Sequence, residues 1–425
     1  MSMVSIELDM IQTTGVGGLA LIVGMVLTRK VAFLQKFCVP SPVSGGIIFS
    51  LISLVLYGWF DVEVSFDGTL KDVFMQVFFT SVGFQSNLKV IKQGGKLLVI
   101  MLTLLVVIIA LQNLMPMGIT RLMGVDPLIG MAAGSISMTG GHGTAGGFAS
   151  VLEGMGLHGA GTIGMAAATF GLIAGSTIGG PLAARIIRTK LTHEQLQPQD
   201  EEIDPAMAGI ESDEASPAGR TKRISTNEQE FQQYAKATYS IILVMAGGTI
   251  LSWLFAKTGI TFPTYFGALI LAAISRNIAG FIRYKEDDGK WVKVEKLLDM
   301  ERIISVGNIC LSMFLGMAMI SLKLWELQSL ALPLIAILVS QVLMMALFVY
   351  FVAFPLLGRD YDAAVLCAGI CGFSLGATPN AMANMSAVCY KYRYTVKPFL
   401  IVPIIGAMFA DLINTGIISL FLNFL

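Results

Sequence analysis

The chain has 425 residues, of which 55% are hydrophobic and only 13% charged, and its mean hydropathy of +0.75 lies outside the range of soluble globular domains. Its 28 basic and 28 acidic residues cancel, so no bulk charge points to nucleic acid or to an acidic macromolecular partner. This is the composition of a polytopic membrane protein with a small ligand.

Met1 to Gln12 carries Glu7 and Asp9 and no basic residue, the wrong charge for a signal-peptide n-region, so the first apolar run is expected to be retained. A helical span needs roughly 20 apolar residues. Such runs fall near 14–28, 42–59, 72–88, 97–116 and 160–187, and again near 238–256, 262–281, 303–321, 330–356 and 397–424. Two further segments, 128–150 and 362–386, are apolar but crowded with Gly, Ser, Thr and Asn. They read as broken helices or re-entrant hairpins. From 190 to 236 the chain turns polar, as in LTHEQLQPQDEEIDPAMAGIESDEASPAGRTKR, which marks a linker. The predicted organisation is a first membrane repeat at 1–189, a cytoplasmic polar linker at 190–236 and a second membrane repeat at 237–425.

Orientation follows from the basic residues in the loops. Placing the N- and C-termini outside and the linker inside leaves only Lys71, Arg121, Lys257 and Lys323 outside, four of the 28 basic residues. Comparing the halves at a shift of 235 superposes Phe79 on Phe314, Gly134 on Gly369, Gly141 on Gly376 and Gly171 on Gly406, a register that indicates duplication. Five spans per half is an odd number, so the second copy must be inverted. The predicted fold is an all-α membrane protein with two inverted repeats of five transmembrane helices, each with a re-entrant or broken-helix hairpin, as in transporters that alternate access around a midplane site.

Cysteines 38, 310, 367, 371 and 389 lie in or beside apolar segments, which argues against a disulfide framework. Cys367 and Cys371 share a helical face but have no histidine nearby, so packing outweighs a metal site there.

The first special segment reads GSISMTGGHGT, Gly134 to Thr144, and the second GFSLGATPNAMANM, Gly372 to Met385. Glycine and proline at this density free backbone amides and carbonyls that an ion or a polar substrate can satisfy. A half-helix N-terminus suits a carboxylate, and unwound carbonyls with hydroxyl and amide oxygens suit sodium. Close helix packing is the competing account for one glycine-rich helix, and its recurrence with hydroxyls in both halves favours a site. Asp411 lies in the last span among Ile405, Met408, Phe409, Leu412 and Ile413. A carboxylate at that depth is costly and points to a cation partner, with Asn414 and Thr415 on or near the same face; a neutral or helix-capping carboxylate is the alternative. The 235 shift places Ser176 opposite Asp411. His142 reads as a neutral imidazole holding the hairpin rather than a proton relay. Gly372, Ser374 and Gly376 spell the G-x-S-x-G of a hydrolase elbow, but without its strand-turn-helix context, and zinc-protease and phosphate-loop motifs do not occur.

The runs PSPVSGGI from Pro40, GSISMTGGHGT from Gly134, ATFGLIAGSTIGGP from Ala168, SLKLWELQSLALP from Ser321, YDAAVLCAG from Tyr361, GATPNAMANM from Gly376 and ADLIN from Ala410 together resemble the bacterial sodium/glutamate symporters over nearly all of both membrane halves. The resemblance implies sodium-coupled glutamate uptake across the cytoplasmic membrane, a homodimer, sodium as the coupling ion without a cofactor, and an elevator-like domain that carries the site past a scaffold. It places substrate recognition on Ser135, Ser137, Thr139, Gly140, Gly141, His142, Gly143 and Thr144 and on Gly376, Ala377, Thr378, Pro379 and Asn380. Sodium is expected at Asp411, Asn414, Thr415 and Asn384. Ser374, where the family is expected to favour glycine, and the long linker are departures. Symport of aspartate or citrate is the nearest alternative; an ion channel or an intramembrane serine protease is more distant.

Overall fold

The structure, a computed structural model, describes residues 4–88, 95–192, 227–259, 261–285, 291–294, 298–328 and 330–425. Residues 193–226 of the predicted linker lie outside the described residues. Helix α1 (Met10–Lys30) opens on a capping box, in which Asp9 Oδ1 accepts from the Gln12 amide at 2.8 Å and Gln12 Oε1 accepts from the Asp9 amide at 3.1 Å. The short α2 (Ala32–Lys36) leads to α3 (Ser41–Phe60), which begins with Pro42 in its first turn. Helices α1 and α3 touch through glycine: a Cβ on Gly24 would lie 1.9 Å from Ser41 O, and one on Gly45 1.8 Å from Ala20 O. Only residues without a Cβ allow that approach.

Next come α4 (Thr69–Gln85), α5 (Gly95–Leu122), α6 (Pro127–Ala132), α7 (Gly141–Gly154) and α8 (Ala160–Lys190). The second half runs α9 (Asn227–Ala256), α10 (Phe266–Ala279), α11 (Met300–Ile320), α12 (Ala331–Leu356), α13 (Tyr361–Leu375), α14 (Thr378–Lys391) and α15 (Lys397–Leu422). Eight of these, α1, α3, α5, α8, α9, α11, α12 and α15, are long and apolar enough to cross a bilayer, so the chain is a multi-pass helical membrane protein. The other two predicted spans are shorter than expected. Helix α4 has 17 residues and α10 has 14, about 26 and 21 Å at 1.5 Å per residue. Helix α10 starts only at Phe266, after an irregular stretch at 261–263, and the Phe266 amide donates to Pro263 O at 3.0 Å.

Two short two-stranded ribbons accompany the helices. Strand β1 (Val4–Leu8) pairs in parallel with β2 (Val62–Phe66), and β3 (Arg283–Lys285) pairs antiparallel with β4 (Trp291–Lys293). These ribbons lie outside the helices, where backbone groups without a helical partner satisfy each other.

Both special segments contain a break. In the first, α6 is followed by turns through 134–140 before α7 starts; in the second, only Gly376 and Ala377 separate α13 from α14. Helix α13 is buried on every side, with all residues from Tyr361 to Leu375 except Asp362 buried. A helix apolar all round belongs at the centre, and it delivers the second break into the protein interior. Helix α15 contains Pro403 and, two residues on, the start of a π-helical stretch Ile405–Phe409. Ser86 Oγ donates to Met408 O there at 2.9 Å, and Asp411 follows. Such π insertions accompany functional positions.

A candidate ligand site between two helix breaks

A cavity of about 200 Å³ lies where the two breaks meet. Thr139, Gly140, Gly141, His142, Gly143 and Thr144 line it from the first break, Gly376, Ala377 and Thr378 from the second, and Gly406, Ala410 and Asp411 from α15; Pro40, Phe78, Leu172, Leu311, Leu315 and Phe373 complete the wall. Gly141 has φ +60°, a left-handed value that favours glycine, and a Cβ there would sit 3.5 Å from Gly376 O. Two supporting helices press on the second break through glycines: a Cβ on Gly171 of α8 would lie 2.2 Å from Leu375 O, and one on Gly406 of α15 2.3 Å from Thr378 Oγ1.

Buried amides tie the breaks together. Gln112, in the middle of α5, accepts from Thr139 Oγ1 at 2.6 Å and donates through Nε2 to Ser374 O at 2.6 Å. Gln341 of α12 donates to Gln112 O at 2.9 Å. Asn113 Oδ1 accepts from the Ser135 amide at 3.0 Å, and Asn414 Nδ2 of α15 donates to Ser135 O at 3.0 Å. Asn380 Nδ2 donates to Leu172 O at 3.0 Å and to Ser176 Oγ at 2.5 Å. The first break is thus fixed to α15, and the second to α8.

Two kinds of unmet polar group face this region. Neither α7 nor α14 has a side-chain cap on its first turn, and both begin in the cavity wall, so their N-terminal amides and dipoles converge on one space. That is an anion-binding arrangement. Against it stand oxygens: the Asp411 side chain lines the cavity, and Thr144 Oγ1 in the same wall is buried without a hydrogen-bond partner; Asn414 and Thr415, three and four residues beyond Asp411, are buried but do not line the cavity. The Tyr265 hydroxyl, just before α10, reaches the Thr415 hydroxyl, with its ring stacked on Phe79 at 3.7 Å. Oxygen-only groups of this kind suit a hard cation. Among the described residues no cluster of three His, Cys, Asp or Glu side chains is placed to hold a metal ion.

The family model for the sodium/glutamate symporter matches residues 6–394. The sodium/glutamate symporter of Escherichia coli (strain K12) is 39% identical over 424 residues, covering 98% of both chains, and that of Haemophilus influenzae is 35% identical over 410 residues, covering 96% of both. The chain belongs to the sodium/glutamate symporter family. It is a transporter and not an enzyme. The hydrolase-like Ser374 fits that assignment, because the histidine nearest in kind, His142, is engaged elsewhere through Nε2 with Thr169 Oγ1 at 3.0 Å.

In this symporter the residues expected in the site fall into two groups. Thr139 to Thr144, Gly376 to Thr378 and Asp411 share the cavity. The others do not line it. Ser137 Oγ is bonded to Ala132 O and to Gly164 O; Ser135 offers its backbone to Asn113 and Asn414; Pro379 and Asn380 follow the break into α14; and Asn384 Nδ2 donates to Gly175 O at 2.9 Å and to Ala368 O at 3.3 Å. Sequence reading missed Gln112, Gln341 and Tyr265. The two amides carried the same signal as Asp411, a polar side chain inside an apolar span, whereas Tyr265 gives no local sign of its role.

Proposed function

We propose that the chain is a sodium-coupled symporter that carries glutamate into the cell across the bacterial cytoplasmic membrane by alternating access. The observation that carries this reading is the convergence of two uncapped helix N-termini and one carboxylate, Asp411, on one small cavity with no lysine or arginine among the described residues of its wall. Glutamate has two carboxylates and one ammonium. The starts of α7 and α14 receive the carboxylates, Thr144 and Thr378 add hydroxyl donors, and Gly141 and Gly376 let the substrate reach the backbone. Asp411 with Thr415 and the Asn414 oxygen, joined by Tyr265, binds sodium, the second substrate. Asn384 acts as a tie between α14 and α8. Ser135, Ser137, Pro379 and Asn380 shape the breaks from behind.

Two inverted repeats, each with a re-entrant hairpin, account for the framework. Helices α4, α5, α7 and α8 align with α11, α12, α14 and α15 at the 235-residue shift, and Thr139 and Ser374, 235 positions apart, approach to 3.4 Å between Oγ1 and the carbonyl oxygen. A residue that touches its own counterpart lies on the axis relating the copies. With the termini outside and residues 190–236 inside, the excess of basic loops is cytoplasmic. A homodimer with an elevator-like moving domain completes the reading. Sodium neutralises the substrate for transit, and each unbalanced charge gains about 2.3 kcal/mol per 100 mV of membrane potential.

Uptake of labelled glutamate into proteoliposomes, with and without an inward sodium gradient, is the test. Glutamate uptake that requires sodium is expected; uptake that ignores sodium and follows a proton gradient would overturn the coupling, and competition by aspartate or citrate as strong as by glutamate would overturn the substrate.

A further inference from the structure

We propose that the groove between the C-terminal halves of α8 and α14 binds the headgroup of an anionic phospholipid. The groove has a volume of about 720 Å³. Three cations from the two helices converge on it: Arg185, Arg188 and Lys391. Among the described residues none of the three is paired with a carboxylate, although lysines and arginines elsewhere are: Lys323 with Glu63, Arg302 with Glu301, Lys397 with Asp362. Tyr392 completes the wall. An unneutralised triple charge suits a phosphodiester, which accepts charge-assisted hydrogen bonds through its oxygens.

The rest of the wall selects a lipid over a free anion. Below the charged rim it is mostly apolar, including Pro181, Ala184 and Val388. Gly180 also lines it, and a Cβ there would meet nothing within 4 Å, so open space runs along the helix surface where an acyl chain lies. Long basic side chains on a span extend their charged heads to the membrane interface, and clusters of them on the cytoplasmic side attract anionic headgroups. The groove shares no residue with the cavity between the breaks, so this proposal and the transport reading stand or fall separately. A lipid bound here braces α14 against α8, on which the second break depends.

The test uses the purified full-length protein with added phosphatidylglycerol or phosphatidylcholine, reading retained lipid by native mass spectrometry and thermal stability in parallel. Phosphatidylglycerol is expected to be retained and to raise the melting temperature, and phosphatidylcholine is not. The R185Q/R188Q/K391Q variant is expected to retain at least about tenfold less phosphatidylglycerol. Gly180→Leu, which fills the groove without touching a charge, provides the second arm and the same expected loss should the triple variant not fold. Equal phosphatidylglycerol retention by the parent and Gly180→Leu would overturn the proposal. So would displacement of the lipid by inorganic phosphate, which would assign the groove to a free anion.

Discussion

Gly141 and Gly376, residues that the 235-residue shift superposes, face each other across the cavity, with the position of a Gly141 Cβ 3.5 Å from Gly376 O. The same shift relates Thr139 to Ser374, and a single side chain, Gln112, bonds to both. The two breaks therefore meet at the pair of positions they have in common, and consequences follow for specific variants.

Asp411→Asn removes the one carboxylate from the cavity wall. The sodium concentration for half-maximal uptake is expected to rise at least about tenfold, a loss of about 1.4 kcal/mol of ion binding, with folded protein little changed. Measuring uptake against sodium in proteoliposomes checks it, and an unaltered sodium curve would take Asp411 out of the ion site.

Tyr265→Phe keeps the ring stacked on Phe79 and deletes only the hydroxyl that meets Thr415. Weaker sodium activation by about fivefold, with little change in melting temperature, is expected, because a hydrogen bond or ligand oxygen is worth about 1 kcal/mol here. Tyr265→Ala instead opens a cavity and costs about 3–5 kcal/mol of stability.

Gln112→Leu removes the two 2.6 Å bonds to the Thr139 hydroxyl and the Ser374 carbonyl in a dry interior and leaves that pair only their mutual contact at 3.4 Å. Each group left so poorly paired costs about 1–3 kcal/mol. Thermal melting of the purified variant is expected to show a clear loss, and adding Thr139→Val to Gln112→Leu is expected to cost less than the sum of the two single changes. Strict additivity would mean that the bridge contributes nothing.

Gly141→Ala puts a side chain on a left-handed residue, φ +60°, at a cost of about 1–2 kcal/mol, and narrows the space toward Gly376. Gly118→Ala in α5, where a Cβ meets nothing within 4 Å, serves as the control. Uptake is expected to collapse in the first and hold in the second; equal activity would show that the break tolerates a side chain.

Lys323 Nζ lies 2.7 Å from Glu63 Oε1, linking the stretch after α11 to β2 outside the spans. The Glu63 hydrogen bond is the main reason that Lys323 holds its proton above the usual lysine value of 10.5, partial burial working the other way. A raised lysine value stabilises fully below the unfolded pKa, and the gain disappears as pH rises through the folded one. With the Lys323 side chain 43% exposed, the pair is worth at most about 1 kcal/mol. Lys323→Met is therefore expected to melt slightly below the parent near neutral pH, with the difference closing in strongly alkaline solution.

Much of this symporter is legible in its sequence. Lipid cannot hydrogen-bond a backbone, so each span must be a long apolar helix, and eight of the ten predicted spans stand as such. The same rule makes Gly134–Thr144 and Gly376–Asn380 visible as interruptions and makes Asp411 conspicuous, because polarity within an apolar run is a local signal. Tertiary structure decided which polar groups remain open to a ligand. Ser137 and the Ser135 backbone look like ligand-facing groups in one dimension, yet Gly164 and Asn414 take up their hydrogen bonds. Tyr265 reaches the region of Asp411 from a helix start 146 positions earlier in the chain. A hydrogen bond between distant spans depends on how the helices are placed, and no periodicity within a single span records it.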